Sequence, residues 1–392
     1  MKKKLFTFFT DTKFLIALYV ITAIIISLIQ FYQGEKVFEG RSYTHYNNYV
    51  IFKNAYSHFI NFQNPYQLWP DKQWDLYKYS PTFALLMYPL NLLPDVIGLL
   101  IWNLLNACIL FIAIMQLKNF DSKIKSIILL FVLPELIISL QNSQSNGLMA
   151  GLLIIAFNLL ESQKFKFATL LITLTVFIKI FGAVAFIICL LYRERWKSAV
   201  AAVLWIILLL LLPAIFIGFQ QLKIDYLYWF EMLKNDHSVS IGLSVNGFLK
   251  TWFNYTAPKL AVMIAGLLLL LIPLIRTTLY DNINFKILML ANTMIWMVIF
   301  NHKAESPTFV IAIAGAAIWY FSNSHSKLNL TLLVLAFIMS SLSPTDLFPK
   351  YVRDHFINPY VLKAVPFILI WLKIEFELFT MKSKNQQLIN DN

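Results

Sequence analysis

The sequence predicts an all-α polytopic membrane protein, with about twelve transmembrane helices, a re-entrant or interfacial segment and a large first polar loop on the far side of the bilayer. Three observations carry this expectation. Of 392 residues, 59% are hydrophobic and only 13% are charged, where a soluble domain carries about a quarter charged residues. Apolar runs of about 17–22 residues recur, each long enough to cross about 30 Å of hydrocarbon. The Lys and Arg residues behind the net charge of +12 mostly flank those runs, which is the positive-inside distribution.

The candidate spans are 14–32, 97–117, 125–141, 146–161, 167–178, 181–193, 197–218, 258–276, 286–301, 306–322, 327–343 and 358–375. Met1-Lys2-Lys3-Lys4 resembles the basic start of a signal peptide, but no small-residue cleavage site follows, so the first run reads as an uncleaved span. The stretch 82–93 contains Pro89, is closed by Pro94 and is short for a crossing, which makes it the re-entrant or interfacial piece. With Met1 in the cytoplasm, Lys118/Lys123/Lys125, Lys164/Lys166, Arg193/Arg195/Lys197, Arg276/Lys286, Lys327 and Lys382/Lys384 also fall inside. The outer segments are then 33–81, 141–145, Lys179, 219–257, 301–305 and 344–357. Residues 1–381 read as one transmembrane domain, with 33–96 as first outer loop and re-entrant segment and 219–257 as second outer loop. Residues 382–392 read as a polar cytoplasmic tail. The expected location is a bacterial cytoplasmic (inner) membrane, with both termini inside.

Several classes are disfavoured. Cys108 and Cys189 lie inside apolar runs and no CxxC or CxxH pair is present, so neither a disulfide nor a metal site is expected. Asp236-His237 and Asp354-His355 are adjacent pairs, not pairs one helical turn apart, and no DxD motif occurs. No metal and no cofactor is therefore expected. The positive charge would suggest nucleic acid in a soluble protein, but no such motif is visible and no nucleic-acid partner is expected. A transporter would place ionisable residues in several spans and show paired repeats; here only Lys179 and Glu135 sit deep, and the two halves differ.

The first outer loop is dense in Tyr, Trp, His, Asn and charge. Aromatic faces stack on sugar rings, and Lys and Arg hold phosphate. The same aromatics would serve an interfacial belt, but a belt does not require Arg41, His45, Asp71, Asp75 and Lys78 beside them. Lys179 interrupts an apolar hairpin, and an ionisable residue at that depth marks a functional site or snorkels to the interface. Gln141, Asn142, Gln144 and Asn146 form a polar turn that could bind hydroxyls or satisfy helix ends.

In order along the chain come Asn64-Pro65-Tyr66, then Tyr79-Ser80-Pro81-Thr82-Phe83-Ala84-Leu85-Leu86-Met87-Tyr88-Pro89-Leu90-Asn91-Leu92-Leu93-Pro94, then Trp102 and Asn106. Downstream are Gln144-Ser145-Asn146-Gly147, Lys179-Ile180-Phe181, Tyr192-Arg193-Glu194-Arg195-Trp196, Ser244-Val245-Asn246-Gly247 and Glu305-Ser306-Pro307-Thr308. This ordered set resembles glycosyltransferase family 87 of the GT-C superfamily, over most of residues 30–310. The resemblance implies a GT-C-like fold and transfer of a mannose-like hexose from a polyprenyl-phosphate donor to a glycan or lipid acceptor. It also implies membrane lipids as surroundings and an active site on the outer face.

One position departs from the family pattern. Aligned on Phe52, the family's catalytic Asp corresponds to Asn48, and an amide can hydrogen-bond but cannot act as a base. Glu35, Glu39, Asp71 and Asp75 are the other carboxylates of that loop, and Asp75 is preferred over Glu39. A salt bridge or loop cap is the structural alternative for Asp75. The resemblance further suggests substrate-binding roles for Arg41, His45, Asn64, Tyr66, Lys78, Tyr79, Gln144, Asn146, Lys179, Asn246, His302 and Lys303. A non-catalytic relative that binds or scaffolds a lipid-linked glycan, or a lipid or sugar transporter, is the alternative.

Overall fold

A computed structural model describes residues 10–235, 242–323 and 325–382. The basic start Met1–Lys4, the Asp236-His237 pair and the tail beyond Lys382 lie outside the described residues.

The chain is mostly helical. Helix α1 (Thr12–Tyr32) starts where the Asp11 carboxylate accepts the Phe14 amide at 3.0 Å, an N-cap that satisfies one orphan donor of the first turn. Helix α6 (Ser122–Gln141) is started the same way by Asp121, which accepts the Ile124 amide at 2.7 Å. Together with α5 (Asp95–Met115), these are the three described helices that are both long and apolar enough to cross a membrane. They pack on one another, and the Tyr19 hydroxyl of α1 donates to the Leu129 carbonyl of α6 at 2.9 Å.

The remaining expected spans are shorter or broken. Helices α7 (Asn146–Glu161) and α8 (Phe165–Ile178) are apolar but below full span length. Run 181–193 is no continuous helix: a 3₁₀ segment, Ile180–Ala185, leads into a four-residue α9, Phe186–Cys189. Run 82–93 folds as two short helices, α3 (Pro81–Leu86) and α4 (Tyr88–Asn91). Helix α10 (Arg195–Leu211) ends before Pro213 and turns by 87° into α11 (Ala214–Asn235). The segment from 219 onward, expected as loop, is therefore largely helix. The bend follows from Pro213, which has no amide to donate, and from Gly218, whose φ of 76° leaves the helical region.

The all-α expectation also misses a β-hairpin at the start of the first polar loop. Strands β1 (Glu35–Phe38) and β2 (Arg41–Thr44) pair antiparallel, with Phe38 opposite Arg41. The turn residues Glu39 and Gly40 have φ of 49° and 77°, the sign pattern of a tight type I′ hairpin turn. Helix α2 (Asn47–Ile60) follows.

The second half of the chain continues with α12 (Val245–Phe253), α13 (Lys259–Leu271), α14 (Ile283–Ile299), α15 (Phe309–Ser322), α16 (Lys327–Ala336), the short α17 (Lys350–Val352) and α18 (Val365–Thr380). Helices α14 and α15 are largely apolar and are buried almost throughout, as expected for helices surrounded by protein. Within this core sits an ion pair. Lys363 Nζ lies 3.0 Å from Glu135 Oε1, donates to Ser306 Oγ at 2.8 Å and donates to the Ser340 carbonyl at 3.0 Å.

Candidate functional site

The segments that carry the polar motifs meet at one end of the helices. The first is the turn after α6. Ser143 takes φ of 50°; its amide donates to the Leu140 carbonyl at 2.9 Å, and the Gln144 amide donates to the Ser139 carbonyl at 3.1 Å. That pair of bonds is a Schellman closure, with serine where glycine is usual. The Trp102 indole donates to the Ser143 carbonyl at 2.9 Å, and Asn106 Oδ1 accepts the Leu148 amide at 2.8 Å. The turn is thus pinned from α5, and Gln144 and Asn146 are held at the start of α7.

The second segment is Tyr79-Ser80-Pro81. Ser80 caps α3: its Oγ accepts the Phe83 amide at 3.1 Å and donates to the Phe177 carbonyl at 2.6 Å. Pro81 takes the first helical position, where a missing amide costs nothing. Tyr79 is fixed from below by the Tyr66 hydroxyl, which donates to the Tyr79 carbonyl at 3.0 Å. The Tyr79 hydroxyl reaches Gln144 Oε1 at 3.3 Å.

The third segment is the break after α8. Lys179 has extended backbone angles and closes that helix. The return is tight, since a Cβ on Gly182 would lie 2.5 Å from Thr175 Oγ1 and 2.6 Å from the Thr175 carbonyl carbon. Lys179 Nζ donates to Asn146 Oδ1 at 2.7 Å and lies 5.9 Å from the Tyr79 ring centre. Asn146 Nδ2 is buried with no hydrogen-bond partner, a state that calls for a missing acceptor.

The fourth segment is 301–305. The Leu243 amide donates to the Ala304 carbonyl at 2.8 Å. Gly242 has φ of 71°, and a Cβ there would meet the His302 carbonyl oxygen at 2.1 Å, so this contact requires glycine. The His302 ring lies 6.5 Å from that of Phe181. The exposed Glu305 carboxylate acts electrostatically on both Lys179 and the Tyr79 hydroxyl.

Tyr79, Gln144, Asn146 and Lys179 are therefore joined in one cluster, with Glu305 and His302 beside it. Glu305 is a carboxylate beside this cluster that lies outside the first outer loop. Its one signal in the sequence is the Glu305-Ser306-Pro307 motif, whereas the carboxylates expected as bases all lie in the first outer loop.

The other predicted residues hold different places. Asn48 Nδ2 donates to the Asn142 carbonyl at 2.8 Å, and Asn47 Oδ1 accepts the Trp74 amide at 3.2 Å. An aspartate at 48 could not make the first bond, because a carboxylate has no proton to give. Asp75 does make the salt bridge and cap named as its structural alternative: Lys78 Nζ lies 3.2 Å from Oδ2, and Oδ1 accepts the Leu76 amide at 2.7 Å. Asp75 nevertheless also acts on the Tyr79 hydroxyl. Glu39 is an exposed hairpin-turn residue that makes no hydrogen bond or ion pair among the described residues. Arg41 pairs with Asp71 at 3.2 Å on the surface, where such pairs contribute little. His45 lies in the turn between β2 and α2. Asn64 Oδ1 accepts the Tyr66 amide at 2.8 Å, so it shapes the turn that carries Tyr66. Asn246 Nδ2 donates to the Ala257 carbonyl at 3.4 Å, and Lys303 sits in the 301–304 turn, where its amide donates to Asn301 Oδ1. Among the described residues no group of three or more His, Cys, Asp or Glu side chains converges.

His58, on α2, stacks on Trp69 with ring centres 4.1 Å apart, and neither ring nitrogen has a partner. Burial first, and then the nearby Lys72 charge, push its pKa down to about 4 from 6.5. The folded protein then binds fewer protons than the unfolded chain between those values, so stability falls as pH drops from about 6.5 toward 4. Thermal melts across this range are expected to show a fall that His58→Gln flattens; equal slopes would refute the assignment.

The profile for glycosyltransferase family 87 matches residues 77–344, more than half of the chain. No curated protein sequence matches it significantly.

Proposed function

Because the chain belongs to glycosyltransferase family 87, we propose that it moves a hexose, mannose-like in kind, from a polyprenyl-phosphate donor to a glycan or lipid acceptor. The reaction takes place at the outer face of a bacterial cytoplasmic membrane. The observation that carries this reading is the half-buried Lys179 ammonium, fixed on Asn146 and facing Tyr79. An ammonium carries three N–H donors, and one is used on Asn146. The remaining donors, with the unpartnered Asn146 Nδ2, suit the phosphate of the donor lipid. Tyr79 and Gln144 border the place for the sugar.

The acceptor hydroxyl oxygen attacks the anomeric carbon while the bond from that carbon to the donor's phosphate oxygen breaks. Polyprenyl phosphate leaves, and a carboxylate takes the hydroxyl proton. Lys179 stabilises the negative charge that grows on the leaving phosphate. Glu305 is the first choice of base, since its side chain is exposed, uncommitted to any bond among the described residues, and acts on the Lys179 charge. Asp75 is the second, because its carboxylate is already engaged by Lys78 and the Leu76 amide. Glu39 and Asn48 take no part in proton transfer in this scheme; Asn48 positions α2 against the Asn142 turn.

The test is transfer of radiolabelled hexose from polyprenyl-phosphate donors by purified protein in lipid. Glu305→Gln is expected to lower turnover by about 10²–10⁴-fold, the usual contribution of general base catalysis, with Asp75→Asn far milder. The reverse order would move the base to Asp75. Transfer that survives both substitutions would sink the assignment of either carboxylate, and no transfer from any such donor would favour the non-catalytic, lipid-linked-glycan-binding reading.

A further inference from the structure

A groove of about 840 Å³ opens between the start of α8 and the length of α10. It is far from the cluster at Lys179. Helix α7 separates the two along the chain, and its 16 residues span about 24 Å at 1.5 Å each. The groove walls include Phe167, Val200, Leu204 and Leu208, all of them exposed. Lys164, Lys166 and Lys197 stand in the same lining, against one carboxylate, Glu194. All three lysines are exposed, and none makes an ion pair among the described residues. The Trp205 indole donates to the Lys166 carbonyl at 2.9 Å, which ties the two helices at the groove. Lys164, the N-cap residue of α8, makes no side-chain cap, so first-turn amides of that helix remain available at this rim.

We propose that this groove is a binding site for an anionic phospholipid of the leaflet opposite the sugar-transfer cluster. The phosphate sits among Lys164, Lys166 and Lys197, and an acyl chain lies along the apolar wall of α10. Two features select a lipid over a free phosphate. The wall is apolar and open along its length, and unpaired lysines beside an apolar groove match a headgroup that is charged at one end only. Basic pockets between membrane helices bind anionic headgroups for this reason. The proposal does not rest on the transferase reading, because its readout is lipid retention.

Full-length protein in detergent is titrated with phosphatidylglycerol or with phosphatidylcholine of the same chains, and bound lipid is counted by native mass spectrometry. Wild type is expected to retain phosphatidylglycerol in preference. A Lys164→Gln/Lys166→Gln/Lys197→Gln variant is expected to lose that preference by up to about a hundredfold, each lysine contributing near an anionic surface. Leu204→Trp, made at a side chain 61% exposed so that folding is spared, is expected to displace the lipid by filling the groove. Equal retention of the two lipids by wild type would overturn the proposal. So would unchanged phosphatidylglycerol binding in either variant, or displacement by glycerol phosphate at matched concentration.

Discussion

Lys179→Met is expected to lower sugar transfer by about 10²–10³-fold in turnover, the typical loss when one donor aimed at developing negative charge is removed. The methionine chain fills the same volume without a charge. Lys179 is half-buried and makes no ion pair among the described residues, so its removal strands no buried charge and melting temperature is expected to change little. Lys179→Arg is not expected to rescue, since a planar guanidinium cannot take the place of a compact ammonium held on Asn146 Oδ1. The informative measurement separates turnover from the KM for the lipid donor. A loss confined to KM would mean that Lys179 binds donor and transition state equally and does not favour the chemical step. Unchanged kinetics would remove Lys179 from the site.

The second large effect concerns the core. Lys363→Met leaves the Glu135 carboxylate, which has no exposed surface, without its cation. Removing one member of a buried pair costs about 3–5 kcal/mol. Glu135→Leu together with Lys363→Met removes both charges, and replacing a whole buried pair by apolar groups is often neutral or stabilising. The single variant is therefore expected to melt well below wild type in detergent, with the double variant recovering most of the loss. If the single and double variants melt alike, the pair is not the source of the stability. Ser306, which accepts from Lys363 Nζ at 2.8 Å, is the neighbour of Glu305, so the single variant is also expected to lower transfer.

Much of this arrangement was legible in the sequence, and its limits have physical causes. Long apolar runs bounded by charge mark α1, α5 and α6, because only helices satisfy a backbone in hydrocarbon. Tyr79, Gln144, Asn146 and Lys179 stood out as polar interruptions of apolar runs, and the structure brings these four together. Short elements were harder. The strands Glu35–Phe38 and Arg41–Thr44 hold four residues each, too few to display an alternating pattern. The turn from α10 into α11 needed Pro213 to be weighed against an apolar run that continues through it to Gly218. The place of Glu305 beside Lys179 was not legible for another reason. Which carboxylate acts on Lys179 depends on how distant segments fold together, and spacing along the chain carries no such information.

The Glu135–Lys363 pair also constrains the order in which the protein is made. Glu135 lies on α6 and enters the membrane early in synthesis, whereas Lys363 lies beyond residue 344, where the family match ends. Until that last segment is synthesised and docked, the inserted chain carries a carboxylate with no cation beside it. The carboxylate gains its cation only when Lys363 arrives. Completion of the core is therefore a late event in biogenesis. Chains that stop short of Lys363 retain a polar group without its ion partner, even though every residue of the family-matched region is already in place.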